Sequence, residues 1–181
     1  YAHKGGLTVL MRYTLRTLTV DQFRRASAVI LACEHLRKKN INSNIQEEIS
    51  IGLWVGKKTT PNWIGESDEN DSSTPKQLEE CPCCKNKLSP FPNSKGSKFY
   101  CQNKKCNLHD IQPFPVYTID EIIYEKKPNL LIATIDKFAQ IVRNNSVIPM
   151  FNDFEPELII QDELHLISGP MGSISGMYEF A

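Results

Sequence analysis

No apolar run in this 181-residue chain approaches the roughly 20 residues that a membrane-spanning helix needs, so no membrane partner is expected. No secretion signal opens it either, and the expected location is the cytoplasm. Net charge is missing: 21 basic residues face 21 acidic ones. The chain as a whole therefore does not advertise a polyanionic partner, although a neutral total can hide local patches. Cysteine is almost absent outside one place, since Cys33 stands alone and the rest cluster as Cys81, Cys83, Cys84, Cys101 and Cys106. Without a secretory signal such clustering reads as metal ligation rather than as a disulfide framework. Also lacking is a phosphate-binding loop of the form GxxxxGK[ST]. Gly56-Lys57-Lys58-Thr59 comes near, but Ile51 stands where the earlier glycine belongs and Lys58 where the hydroxyl belongs. Pro61 disfavours a helix directly behind, so the string reads as a basic exit from a strand.

What is present is an alternation of strand and helix patterns, the signature of a parallel sheet with crossover helices. Residues 7–13 (LTVLMRY) and 49–55 (ISIGLWV) read as strands. Between them Thr19 and Gln22 suggest a capping box, and Phe23, Ala26, Ile30, Cys33 and Leu36 recur at helical spacing as one inward face. Arg37, Lys38 and Lys39 suit the helix C-terminus. Residues 65–75 are acidic, serine-rich and nearly free of apolar side chains, which predicts a mobile loop. The core pattern resumes with strands at 130–133 and 157–161 and a helix over 136–142. The expected organisation is a first part of an α/β lobe over 1–65, an acidic loop plus a cysteine-bearing insertion over 66–117, and a second part of the lobe over 118–181. His3 and His35 join no constellation. The chain opens on Tyr1 rather than Met, and is expected to be a piece of something longer.

Cys81-x2-Cys84 and Cys101-x4-Cys106, separated by sixteen residues, form a four-thiolate pattern at zinc-ribbon spacing. Each pair can sit on a tight turn, with Phe99-Tyr100 leading in as a short strand. A structural Zn2+ would replace the core so small a module lacks. Cys83 competes with Cys84, and His109 with Cys106; free or oxidised thiols are the plain alternative. The insertion reads as a module outside the core, so metal loss is expected to loosen it and leave the sheet folded. Cys33, on the apolar helix face, reads as a core residue.

Residues 158–161 (LIIQ) read as a buried parallel strand that delivers Asp162 and Glu163 to what should be the carboxyl edge of the sheet, where α/β folds bind ligands. Two adjacent acids there repel and are hard to desolvate without a cation. Magnesium with a nucleoside triphosphate supplies one. Asp162 fits the metal-holding role and Glu163 the polarising of an attacking water, with His165 coupling the site to a second domain. An acidic helix start is the structural alternative.

Three strings together, Thr14-Leu15-Arg16-Thr17-Leu18, Thr134-Ile135-Asp136-Lys137 and Asp162-Glu163-Leu164-His165, resemble the first motor lobe of superfamily 2 helicases in order and placement. The fuller strings MRYTLRTLT, ATIDKFAQ and IIQDELHLISGPMGS resemble the large-helicase family of bacterial DISARM anti-phage systems. That resemblance implies a partial RecA-like sheet, Mg2+ and ATP as cofactors, DNA as nucleic-acid partner, and other subunits of the defence system as further partners. It also implies a strand grip at Thr14, Arg16, Thr134 and Lys137. Leu15 replaces a family threonine and Asp136-Lys137 the last two positions of its motif. The phosphate loop and second lobe of that family would lie outside these residues, so no turnover is expected from them alone. The rival reading is a zinc-ribbon adaptor for nucleic acid or protein on a degenerate, non-hydrolysing core. A metal hydrolase is disfavoured, since no second histidine lies at ligand spacing.

Overall fold

The computed structural model describes residues 6–40, 47–66, 73–91, 94, 97–138, 147–152 and 156–167. In chain order the elements are β1 (Val9–Tyr13), α1 (Arg16–Lys39), β2 (Ile51–Trp54), β3 (Leu88–Pro90), β4 (Phe99–Cys101), β5 (Val116–Tyr117), α2 (Asp120–Lys126), β6 (Leu130–Thr134), α3 (Ile135–Phe138), α4 (Ile148–Asn152) and β7 (Leu158–Gln161). Five strands form one parallel sheet in the order β5-β2-β6-β1-β7, and β3 and β4 pair antiparallel beside it. The class is the expected α/β, a parallel sheet flanked by helices. The register sets Val9 against both Leu130 and Leu158, so the strand ends of β1, β6 and β7 come level at one edge.

Side chains alternate between the two faces of this sheet. Tyr13, Ile51, Leu53, Val55 and Ile132 pack on one side with Phe23 and Leu31 of α1. Leu10, Trp54, Leu131 and Ala133 pack on the other with Ile122 and Ile123 of α2, Phe138 and Met150. Gly52 is required by close approach: a Cβ there would lie 2.7 Å from the ring of Pro128.

Helix α1 departs from its expected shape. It begins at Arg16 behind Leu15, with no side-chain cap. Thr19 lies inside the helix, its hydroxyl donating to the Leu15 carbonyl at 2.7 Å. A threonine satisfied one turn back cannot also act as a cap. The buried face is Thr19, Phe23, Ser27, Leu31 and Glu34, rotated from the predicted one. Ser27 is accommodated by donating to Phe23 O at 2.8 Å, and Glu34 by Arg37 and by the backbone N–H of Ile49. Cys33 and Leu36 consequently face solvent, and Cys33 is not a core residue. Apolar residues occur on several sides of α1, so spacing alone could not choose its inward face.

The insertion packs into the core of the sheet. Leu78, Cys81, Leu88, Phe99, Cys101, Cys106, Leu108, Ile111 and Phe114 belong to the same apolar cluster as the sheet residues beneath α1. The connection from β2 to its parallel neighbour β5 runs through this segment, where a crossover helix would ordinarily sit. A 3-10 turn at Asn107–Ile111 packs against α1, and Asp110 accepts from His35 Nδ1 at 2.9 Å. His35, an ordinary satisfied residue outside any constellation, ties the insertion to the helix.

Strand β7 forms as predicted but occupies the sheet edge. Leu158, Ile159 and Ile160 are 50%, 53% and 38% exposed, not buried. The predicted helix over 136–142 is seen as the short α3, and residues 139–146 lie outside the described ones, as do 67–72 of the acidic loop and the glycine-rich 169–176. Among the described residues no helix is long and apolar enough to cross a membrane.

Candidate functional site

Two constellations stand out, and they lie in different parts of the fold. The first is at the carboxyl edge of the sheet. Asp162 continues the β1–β7 ladder by donating its backbone N–H to Arg12 O at 3.0 Å. Its carboxylate sits near the end of β1: the Tyr13 hydroxyl pKa is raised, first by burial and then by the Asp162 charge. Asp162 Oδ1 accepts the N–H of Glu163 at 2.9 Å. Glu163 has φ 53°, a left-handed conformation that non-glycine residues seldom adopt and that collects at functional turns. The Glu163 carboxylate lies 3.2 Å from His165 Nε2 at the start of the 3-10 turn Leu164–Ile167. The three predicted residues therefore form one tight turn, with Asp162 and Glu163 half-buried and His165 open to solvent.

The strand-grip residues divide. Thr14 and Thr134 follow or end the paired strands β1 and β6, since Tyr13 and Thr134 are register partners. Both hydroxyls are buried with no hydrogen-bond partner among the described residues. Arg16 is exposed, 3.6 Å from Asp136. Thr134 is fully covered, and Lys137 is 1% exposed. The expected surface cation at Lys137 is instead an interior one. Its ammonium donates to Asp120 Oδ2 at 2.5 Å and lies 5.8 Å from the centre of the Trp54 ring. Tyr124 donates to the same oxygen and receives the Trp54 indole N–H. Burial raises the Asp120 pKa, opposed by Lys137. Lys137 sits inside because α3 turns directly off β6 toward α2, and a carboxylate waits there.

The second constellation is the four cysteines. Cys81, Cys84, Cys101 and Cys106 place their sulfurs within 4.8 Å of one another. Cys81 and Cys106 are 3.6 Å apart, and Cys84 and Cys101 3.4 Å. A tetrahedral ion with sulfurs at 2.3 Å requires edges of roughly 3.8 Å, so the cluster needs only slight expansion. Local turns explain the convergence. Cys81 N donates to Asn86 O and Lys85 N to Cys81 O, with Lys85 at φ 61°, which folds the first pair back on itself. Cys106 N donates to Asn103 O, closing the second. Both alternatives fall away: Cys83 is exposed outside the set, and the His109 ring meets Gln112. The backbone N–H of Asn86 brings the Cys84 thiol down to about 6, while burial pushes Cys101 up to about 11 and Cys106 higher. Four thiols in an apolar pocket cannot all ionise without a cation, and the set can hold a metal ion.

Sequence reasoning missed the Asp120–Lys137 pair and α2 altogether. Asp120-Glu121 ahead of Ile122-Ile123, with Lys126 behind, was the available helix signal.

Fold and sites together define an α/β domain with an acidic turn at the carboxyl edge of its sheet and a metal-competent cysteine cluster under its first helix. No family model matches the chain. It is 35% identical over 234 residues to the DISARM protein DrmA of Bacillus paralicheniformis (strain ATCC 9945a / NCIMB 11709 / CD-2), a match covering 99% of this chain and 21% of that protein. DrmA is therefore a homologue of this chain, which spans about a fifth of its length.

Proposed function

We propose that the chain is part of the first, RecA-like lobe of an ATP-driven helicase or translocase that acts on DNA in defence against phage. The observation that carries this reading is the convergence of Asp162, Glu163, Thr14 and Arg16 on one edge of a parallel sheet. Similarity to a DISARM protein supports the defence role. In this reading Asp162 holds magnesium and Glu163 orients the water that attacks the γ-phosphate. Arg16, Thr14 and the free N–H groups opening α1 bind the backbone of one nucleic-acid strand. Thr134 and Lys137 act from beneath, fixing the turn that carries Asp136 beside Arg16. The cysteines hold structural Zn2+. The apolar edge at β7 is where further strands of a longer protein would join the sheet, because an exposed apolar edge strand invites pairing.

A zinc-dependent adaptor on a non-hydrolysing core is the second reading. It is favoured by one detail: Asp162 and Glu163 are each partnered locally, by a backbone N–H and by His165.

The deciding experiment measures ATP turnover and DNA affinity on the same protein variants in the full-length protein. Glu163→Gln keeps the shape and removes the charge, so ATP should still bind while turnover falls by orders of magnitude. Asp162→Asn should lose turnover that partly returns at high magnesium. Both should bind DNA normally, whereas Arg16→Ala should weaken DNA binding and flatten its salt dependence. Unchanged turnover in Glu163→Gln would replace the motor by the adaptor.

A further inference from the structure

The loop after β2 presents two apolar side chains to solvent from an unusually well-tied backbone. Trp63 is 52% exposed and Ile64 39%. Beneath them the Glu66 carboxylate accepts the N–H groups of Asn62 and Trp63 and the ammonium of Lys57. Glu121 of α2 adds two more ties, its N–H donating to Asn62 O and its carboxylate accepting Ile64 N–H. Gly65 closes the turn at φ 86°. A loop this constrained holds the indole in place without burying it. Ordering a large side chain costs entropy that packing normally returns, and here little packing returns it.

The same loop adjoins the strand-grip edge. Arg16 and Thr59 line one cleft of about 340 Å³, and a Cβ on Gly56 would lie 3.0 Å from the Arg16 guanidinium. Thr60 Oγ1 and Asn62 Oδ1, at the base of the loop, are buried without partners among the described residues. The stretch after Glu66 is acidic in sequence (Asp68, Glu69, Asp71), so charge does not recommend this loop for phosphates. What it offers is an exposed ring on a loop whose earlier residues, Gly56 and Thr59, border the Arg16 cleft, and a ring face paired with a cationic groove is how proteins hold single-stranded nucleic acid irrespective of sequence.

We infer that Trp63 is a stacking platform for an unpaired base of the strand whose backbone crosses Arg16. The inference rests on the nucleic-acid part of the proposed function. It assigns the loop over 56–66 to single-strand recognition, since bases within a duplex leave no ring face open to an indole.

The test uses the full-length protein with oligothymidylate and with a blunt duplex of equal length. Trp54 is fully buried, so quenching by added oligonucleotide reports on exposed indoles, and Trp63→Phe identifies the share belonging to this one. Oligothymidylate should quench Trp63 emission and shield it from acrylamide, and duplex should do so far less. Trp63→Ala should weaken oligothymidylate binding roughly ten- to a hundredfold, while Trp63→Phe, which keeps a ring, should retain most of it. If oligothymidylate binding depends on Arg16 but is the same in Trp63→Ala, the platform is wrong and the strand grip stands. If Arg16→Ala has no effect either, the underlying reading fails with it. A Trp63 already shielded from acrylamide before any oligonucleotide is added would show a protein surface covering it, and would overturn the inference.

Discussion

The two faces of the sheet are closed by different chemistry. Under α1, the cover is a segment with three short pieces of secondary structure whose cysteines sit in the apolar cluster itself. On the opposite face the cover is helical, and its polar content is one buried ion pair, Lys137 with Asp120, set among Trp54, Tyr124 and Phe138. The helical face buries apolar surface that folds without an external ligand. The cysteine face is covered by α1 as well, but the segment beside that helix has only short strands and a 3-10 turn, and its four sulfurs are placed to hold a metal ion. We propose that the sheet is conditional on a metal on the cysteine side, whereas the α2 side closes without one.

The largest expected effect is on the conditional face. Apparent binding free energies of structural zinc in small modules run to about 10–16 kcal/mol, comparable with the whole stability of a domain at about 5–15 kcal/mol. Cys101→Ser or Cys106→Ser should therefore abolish bound zinc, which metal analysis should find at about one ion per wild-type chain. It should also destroy the cooperative melting of the sheet, rather than loosen the insertion alone. A metal-free variant that melts like the wild type would restore the separable-module picture.

The helical face should respond next. Lys137→Met strands Asp120 and should cost about 3–5 kcal/mol, whereas Lys137→Met with Asp120→Leu should recover most of it, because a buried pair contributes little net stability but is costly to halve. Denaturant titrations of the three proteins check this. Equal losses in the single and double variants would mean that the pair does more than satisfy itself.

Acidity should move the two faces in opposite directions. Asp120 has its folded pKa raised by burial, above the ordinary value of about 3.9. The folded state then keeps its proton longer, so this contribution is fullest below the unfolded pKa and declines as pH rises through the folded one. Metal held by thiolates is lost as pH falls. Stability against pH, with and without chelator, should separate the two slopes, and Asp120→Asn should remove the first. The smallest effect is local. Gly52→Ala places a methyl against Pro128 and should cost about 1–3 kcal/mol by overpacking, read as a shift in melting temperature.

The sequence made the sheet legible because parallel strands are short apolar runs, and Val9–Tyr13, Ile51–Trp54, Leu130–Thr134 and Leu158–Gln161 are all such runs. It made the four thiols legible through pair spacing, which a tight knuckle enforces whatever surrounds it. Three things stayed hidden, for physical reasons. The inward face of α1 buries Ser27 and Glu34, whose partners are a backbone carbonyl, Arg37 and the distant Ile49. The fate of Lys137 turns on Asp120, seventeen residues away and on another helix. And a strand pattern tells burial from exposure only if the neighbouring strands are known, which is why β7 read as interior and stands at the edge.

The most direct measurement is amide hydrogen exchange on the metal-loaded and the chelated protein, read strand by strand. If the cysteine face closes the sheet, chelation should remove protection from the insertion and also from Ile51–Trp54 and Leu130–Thr134. Loss confined to residues 78–115, with β2 and β6 still protected, would contradict the account.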